Sequence, residues 1–424
     1  MIKVLLNNKL VKQTSVLAGG TVIAQIIGLI ATPFLSRFYS PNDFGLLGSL
    51  LTIAAILSVI GSLKYEMAIV LTSNRIETKG VFTLSVWLLL LFTGIISISV
   101  LAYPRCLTYV GLEKVTVTNV VLLLLLVLGY GLQNIYYQWH SKFENYALLS
   151  KNAMAQKLGI VVFQILIFVL FSSTYGLIVG FTFGWLLTLL ILIIPEWKEI
   201  NLLPFRLTHL KLLAKKYYRF PAYTAPQNLL NSVSQGLPVL MIGYYFDATT
   251  VGLYFFAVRI LQLPSTVIGK SIHQVFYKRA SDLKSNLPQL RKEYLKTTFG
   301  LFGIILVPVV VIFIFGPDIF KFLFGPKWYV AGELARWMFL WIGMGFCNSP
   351  SQSVLIILKK QKFFLLYEIV LTISRFIVLL ITLTSDMILL NAIKFYSLTG
   401  LLLNFSLIMM SYYFLNKKRN ENII

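Results

Sequence analysis

Long apolar stretches separated by short polar breaks dominate this chain. KGVFTLSVWLLLLFTGIISISVLAY (79–103) and LNAIKFYSLTGLLLNFSLIMMSYYF (390–414) are two of them. Each exceeds the roughly 20 residues that cross a hydrocarbon core of ~30 Å at ~1.5 Å per residue. The alternation predicts twelve helical spans, at 12–37, 43–71, 79–103, 115–139, 147–171, 175–195, 220–246, 250–276, 296–316, 330–358, 363–385 and 389–414. The basic start, MIKVLLNNKLVKQ, precedes an apolar segment too long for a signal-peptide core, so a retained first span is expected.

Composition agrees: 58% of the 424 residues are hydrophobic and 12% charged, a balance far from that of a soluble domain. Two distant cysteines, Cys106 and Cys347, imply neither a disulfide framework nor a zinc site, and no cofactor is expected.

The net charge of +22 raises the question of nucleic acid. Its distribution answers otherwise. Alternate connections carry 25 Lys and Arg residues on one side of the membrane against five on the other (Arg37, Arg105, Lys114, Lys321 and Lys327). Cytoplasmic connections retain positive charge, so both termini are expected in the cytoplasm of a bacterial plasma (inner) membrane protein. The basic excess then reports topology and attraction to anionic membrane lipids, with no nucleic acid implied. All connections are too short for a separate catalytic domain.

The first long basic connection, 196–219, divides the chain into lobes of six spans, 1–195 and 220–424. FYSPNDFGLL (38–47) aligns with YFDATTVGLY (245–254): an aromatic pair, a polar turn, an apolar residue, then Gly45-Leu46 and Gly252-Leu253. This supports two pseudo-symmetric lobes with a path between them near the midplane.

Seven cations fall inside spans: Lys64, Lys157, Arg259, Lys270, Arg336, Arg375 and Lys394. A cation at mid-bilayer costs about 2.5–3.5 kcal/mol on insertion scales, so it marks a pathway or an ion pair. Lys157 and Lys394 lie near span ends and read as snorkelling anchors. Span eight, read as one helix, places Arg259, Lys270 and His273 on one face with Pro264 between them as a kink point, and that stripe is expected to line a wet cavity. Span seven carries a polar stripe of Gln227, Asn231 and Ser234 or Gln235. Glu333–Arg336 and Glu368–Arg375 are expected to form ion pairs, although both arginines stay candidates for substrate contact. Glu66 is expected to point away from Lys64 on a continuous helix, and Glu66 and Glu368 are candidate coupling carboxylates. Glycines 176, 180 and 184 form a doubled G-x-x-x-G packing ridge. Seven cations against three carboxylates in the spans fit a phosphate-bearing substrate better than a cationic one.

The first span running into TPFLSRFYSPNDFGLLGSL (32–50), the LKYEMAIVL stretch (63–71) and FDATTVGLYFFAVRILQLP (246–264) resemble the polysaccharide-biosynthesis flippases of the multidrug/oligosaccharidyl-lipid/polysaccharide exporter superfamily. The resemblance implies an all-α, MATE-like membrane fold with a central cationic cavity. It implies a non-enzymatic flippase moving undecaprenyl-diphosphate-linked oligosaccharide repeat units to the outer leaflet by alternating access, for O-antigen or capsule assembly. Substrate contact then falls to Arg259, Lys64 and Lys270, and a polysaccharide polymerase and other assembly proteins are the expected partners. A multidrug or cation antiporter and a lipid II flippase are the alternatives from the same superfamily; a membrane glycosyltransferase or polymerase is the alternative from another class. Scarce membrane carboxylates, a span count below the usual fourteen of lipid II flippases, and short outward loops weigh against these in turn.

Overall fold

A computed structural model describes residues 9–103, 116–171, 175–197, 207–263, 265, 269–385 and 387–421. Within the bilayer each backbone N–H and C=O must be satisfied internally, and helices do this segment by segment. All regular structure among the described residues is helical. Among the described residues, nine helices are long and apolar enough to cross a membrane. The expected spans seven, eight and ten fall on segments too polar or too interrupted to qualify by that measure.

The chain forms two compact units, Met1–Gly252 and Leu253–Ile424. In the first, α1 (Lys9–Phe38), α2 (Pro41–Gly61), α3 (Arg75–Ala102), α4 (Val117–Lys142), α5 (Tyr146–Phe171) and α6 (Gly176–Ile193) precede a short amphipathic helix, α7 (Leu207–Lys216). Helix α8 (Ala225–Tyr245) and the first turn of α9 (Ala248–Leu261) complete it. The spatial division therefore falls one span later than the basic connection, because α8 packs on α2: a Cβ at Gly236 would meet Thr52 at 2.6 Å.

The α5–α6 seam shows why span six is rich in glycine. A Cβ at Gly180 would lie 2.6 Å from the Gln164 backbone, and one at Gly184 equally close to that of Ile160. Only glycine admits this approach, as the G-x-x-x-G spacing leads one to expect. The Tyr39 hydroxyl, on the connection between α1 and α2, donates to the Gln164 carbonyl at 2.7 Å. Burial, then the nearby Asp43 carboxylate, push this phenol up to about 12, so it remains a donor at neutral pH. Outside the bilayer, α7 buries Leu210 and Leu213, and Lys216 pairs with Glu77 at the start of α3. The hydrogen bond to that carboxylate raises the Lys216 ammonium above its ordinary range.

In the second unit, α10 (Lys270–Asp282) precedes the 38-residue α11 (Leu287–Phe324), which contains Pro308 and Pro317. Helices α12 (Tyr329–Cys347), α13 (Ser349–Ile357), α14 (Gln361–Thr384) and α15 (Leu389–Glu421) follow. Gly332 lets α12 meet α11 at backbone distance: its Cβ would stand 2.5 Å from the Pro317 Cα.

Candidate functional site

The cations and polar stripes of the spans fall into three groups. In the first unit, α2 does not continue through LKYEM as expected. It ends at Gly61, Leu63 and Lys64 take left-handed φ angles of 50° and 61°, and a tighter 3-10 helix runs over Tyr65–Leu71. Positive φ at non-glycine residues costs of order 1 kcal/mol or more each and persists where its surroundings impose it. The turn brings together two side chains that a straight helix would separate. Lys64 Nζ lies 3.3 Å from Glu66 Oε1, and Ser62 Oγ donates to Glu66 Oε2 at 2.5 Å. The pair is enclosed, with Lys64 12% and Glu66 2% exposed. The expectation that Glu66 points elsewhere is thus corrected, and Lys64 carries its own counter-ion.

Helix α8 supplies the second group. Gln227, Asn231 and Gln235 are all exposed along one face, and Gln235 Nε2 donates to Asn231 Oδ1 at 2.6 Å. An amide stripe turned outward on a helix at membrane depth requires water or a polar ligand.

The third group is in the second unit. Helix α9 ends at Leu261 and α10 begins at Lys270, so Arg259 and His273 stand on different helices and the single-helix phase does not relate them. Pro264 and the Lys270 side chain lie outside the described residues, as does Cys106. Arg259 is half-buried. His273 turns to α13, its Nδ1 lying 3.2 Å from Ser353 Oγ and 3.3 Å from the Ser349 carbonyl, and its ring stacks on Tyr277.

Neither expected pair makes a direct ion pair among the described residues, although Glu368 still acts on Arg375 through its charge. Arg336 reaches from α12 to α11 and donates from Nη2 to the Ile314 carbonyl at 2.9 Å, without pairing to Glu333. That carbonyl lies near the two prolines of α11, where helix hydrogen bonding is disturbed. Arg375, on α14, lies over two rings: 4.2 Å from the Trp341 centroid and 5.1 Å from that of Tyr396. Its guanidinium also packs against Gly400, where a Cβ would come within 2.4 Å of Nη2. Tyr396 shares a hydrogen bond with Tyr254 of α9, so helices α9, α12, α14 and α15 all contribute to one polar cluster. Three buried donors there, Arg375 Nε, Arg375 Nη2 and Trp341 Nε1, have no hydrogen-bond partner. Buried donors without acceptors are costly, and an incoming oxyanion would satisfy them. Sequence reasoning found Arg375 but missed Trp341, Tyr396 and Tyr254, since aromatic residues in spans carry no signal of their own.

The family described as polysaccharide biosynthesis protein matches residues 34–333. No curated protein matches the sequence closely enough to serve as a relative. Among solved structures, the lipid II flippase MurJ in an inward closed conformation is similar with a TM-score of 0.75 at 14% identity, over 93% of this chain and 87% of that one. An inward-facing multidrug resistance MATE transporter of the MOP superfamily gives 0.70 at 15% identity, over 96% of each chain. A MOP superfamily transporter from Pyrococcus furiosus, described as having a binding pocket of reverse polarity, gives 0.57 at 15% identity over 96% of each chain. At such identities these neighbours establish the fold, an all-helical MATE-like membrane architecture.

Proposed function

The chain belongs to the polysaccharide biosynthesis protein family, and from that premise we propose that it flips an undecaprenyl-diphosphate-linked oligosaccharide from the cytoplasmic to the outer leaflet of a bacterial plasma membrane. One observation carries the reading. Arg375 is held on two aromatic rings and shares a hydrogen bond with Tyr396, two of its buried N–H groups are unmatched, and the Glu368 carboxylate acts on it without a direct ion pair. A guanidinium so placed donates to two oxygens of a phosphate, whereas a cationic drug would be repelled.

In this reading the diphosphate binds to Arg375 and Arg259, with Lys270 on α10 as a further cation. The amides of Gln227, Asn231 and Gln235 receive the sugar hydroxyls. Lys64 joins only if Glu66 releases it. Arg336 serves the α11 backbone, and the prenyl tail stays in lipid. Alternating access moves the head group and no bond is broken; polymerase and other assembly proteins act on the product.

The test uses cells that depend on this protein for surface polysaccharide. Arg375→Gln and Arg259→Ala should each reduce it at least tenfold, with the protein still inserted and the lipid-linked precursor accumulating. Normal polysaccharide in both variants overturns the assignment. Loss of toxic-cation resistance with normal polysaccharide establishes the antiporter alternative.

A further inference from the structure

Helix α4 of the first unit carries a polar stripe with no role in the site above. Tyr130, Gln133, Asn134 and Tyr137 recur at i, i+3, i+4 and i+7 and so share one face. Tyr130 and Gln133 are half-buried, while Asn134 and Tyr137 are exposed. Gln133 lies nine residues before Lys142, the end of α4, or about 14 Å along the helix. The stripe therefore reaches the middle of a hydrocarbon core of ~30 Å. Amides and phenols at that depth need water or a polar ligand.

Helix α5 meets the stripe with another amide. Gln156 Nε2 donates to Gln133 Oε1 at 2.9 Å. Gln156 is ten residues from Tyr146, the start of α5, or about 15 Å along, so the two amides stand at matching depths. One bond between two carboxamides leaves most of their capacity unspent, notably the Gln133 N–H groups and the Gln156 oxygen. The other amides of α5 behave differently. Asn152 donates to the Thr188 carbonyl at 2.7 Å and Gln164 to the Leu177 carbonyl at 2.9 Å. Both are sealed, at 4% and 1% exposed, and tie α5 to α6. The Gln133–Gln156 pair is half-open.

An aromatic wall adjoins the stripe, and charge is missing from it. Trp185 of α6 packs on the Tyr130 ring at 4.3 Å between centroids, and its Nε1 is buried without an acceptor. No Asp or Glu occurs in α4, α5 or α6. Of the three lysines in these helices, Lys142 is spent on the Val70 and Thr72 carbonyls. Lys151 stands about 140° round α5 from Gln156. The Lys157 stem runs beside α1, where a Cβ at Gly28 would lie 3.9 Å from its Cδ. A phosphate would find no cation in this patch, and a cationic drug no carboxylate. A sugar fits it: hydroxyls both donate and accept, as amides and an indole require, and the C–H faces of a pyranose ring pack on aromatic rings.

We propose that this patch on α4, α5 and α6 is a sugar subsite that selects the oligosaccharide of the translocated lipid. Gln133, Asn134 and Gln156 bond its hydroxyls, and Tyr130 and Tyr137 pack on its rings. The inference rests on the transport reading above and deepens it: the charge of the carrier falls to Arg375, while the identity of the sugar is read by neutral side chains. Neutral groups discriminate between sugars without holding the sugar-free carrier, which a cation binds equally well. Each of α1 to α4 crosses once, so the Lys142 end of α4 lies on the face where α1 begins, the loading face in that reading.

The experiment titrates the full chain in lipid nanodiscs with two probes, followed by calorimetry. One is the host's repeat-unit oligosaccharide, freed of lipid and phosphate by mild acid; the other is undecaprenyl diphosphate without sugar. The parent should bind both. Gln133→Leu/Gln156→Leu should weaken the oligosaccharide about tenfold or more and leave undecaprenyl diphosphate within about twofold. Arg375→Gln should do the reverse. Asn134→Leu, at an exposed position, should weaken the oligosaccharide about threefold or more, which keeps the proposal testable if the double variant fails to fold. Parent affinity for the oligosaccharide in Asn134→Leu and in the folded double variant overturns the subsite. So does a parent that binds no free oligosaccharide, or a double variant that loses both probes, since that marks a packing role. Oligosaccharide binding lost as expected, with normal polysaccharide in cells carrying Arg375→Gln and Arg259→Ala, would keep the subsite and reject the transport assignment.

Discussion

The two units treat cations at membrane depth in different ways. In the first, Lys64 meets Glu66 across a strained left-handed turn, and a serine hydroxyl completes the carboxylate's shell. In the second, Arg336 rests on a backbone carbonyl, Lys394 on the Trp337 ring at 5.2 Å, and Arg375 on Trp341 and Tyr396. Rings and carbonyls stabilise a cation without cancelling its charge. The first arrangement is electrically closed, while the second leaves positive charge available to a ligand. A buried cation is thus a functional signal only once its neighbours are known.

The largest effect should come from opening the closed pair. Glu66→Ala strands a buried ammonium and should cost about 3–5 kcal/mol, read as a large fall in the thermal unfolding midpoint in detergent. The double variant Lys64→Met/Glu66→Leu should recover most of that loss, since removing both charges leaves nothing uncompensated. If Glu66→Ala is as stable as the parent, the pair is no structural unit and the contrast between the units fails.

Arg375→Met sharpens the other side. Its cation–π contacts are worth about 1–2 kcal/mol, and removing the unmatched donors offsets part of this, so the midpoint should move by only a few degrees. A collapse on the scale of Glu66→Ala would make Arg375 a structural cation. Arg336→Met should give the smallest effect, about 1 kcal/mol for one lost hydrogen bond to a carbonyl, with transport unchanged. Transport loss in that variant would place Arg336 in the pathway.

Much of the architecture was legible because it follows from local, additive properties. The span pattern, the span-six glycines and the repeat containing Gly45 and Gly252 were all readable by eye. The failures share one cause, which is that helical periodicity was extended through places where the helix stops. Lys64 and Glu66 were set on different faces because a straight helix was assumed, although Gly61 followed by Ser62 is a plausible helix terminus. Arg259 and His273 were placed on one stripe for the same reason. Glu368 and Arg375 do share a face of α14, yet phase along one helix says nothing of the rings that α12 and α15 present to it.

The sequence by itself determined that the chain lives in a bilayer, which connections carry the positive charge, and that its two halves repeat one plan. Those properties depend on composition and on neighbours within a few residues. Tertiary structure alone decided which cations meet a carboxylate and which meet rings or carbonyls, and that two glycines 207 positions apart approach at backbone distance. The reason is physical: a charge is satisfied, or two backbones touch, through partners from distant helices, and their approach is set by packing in three dimensions.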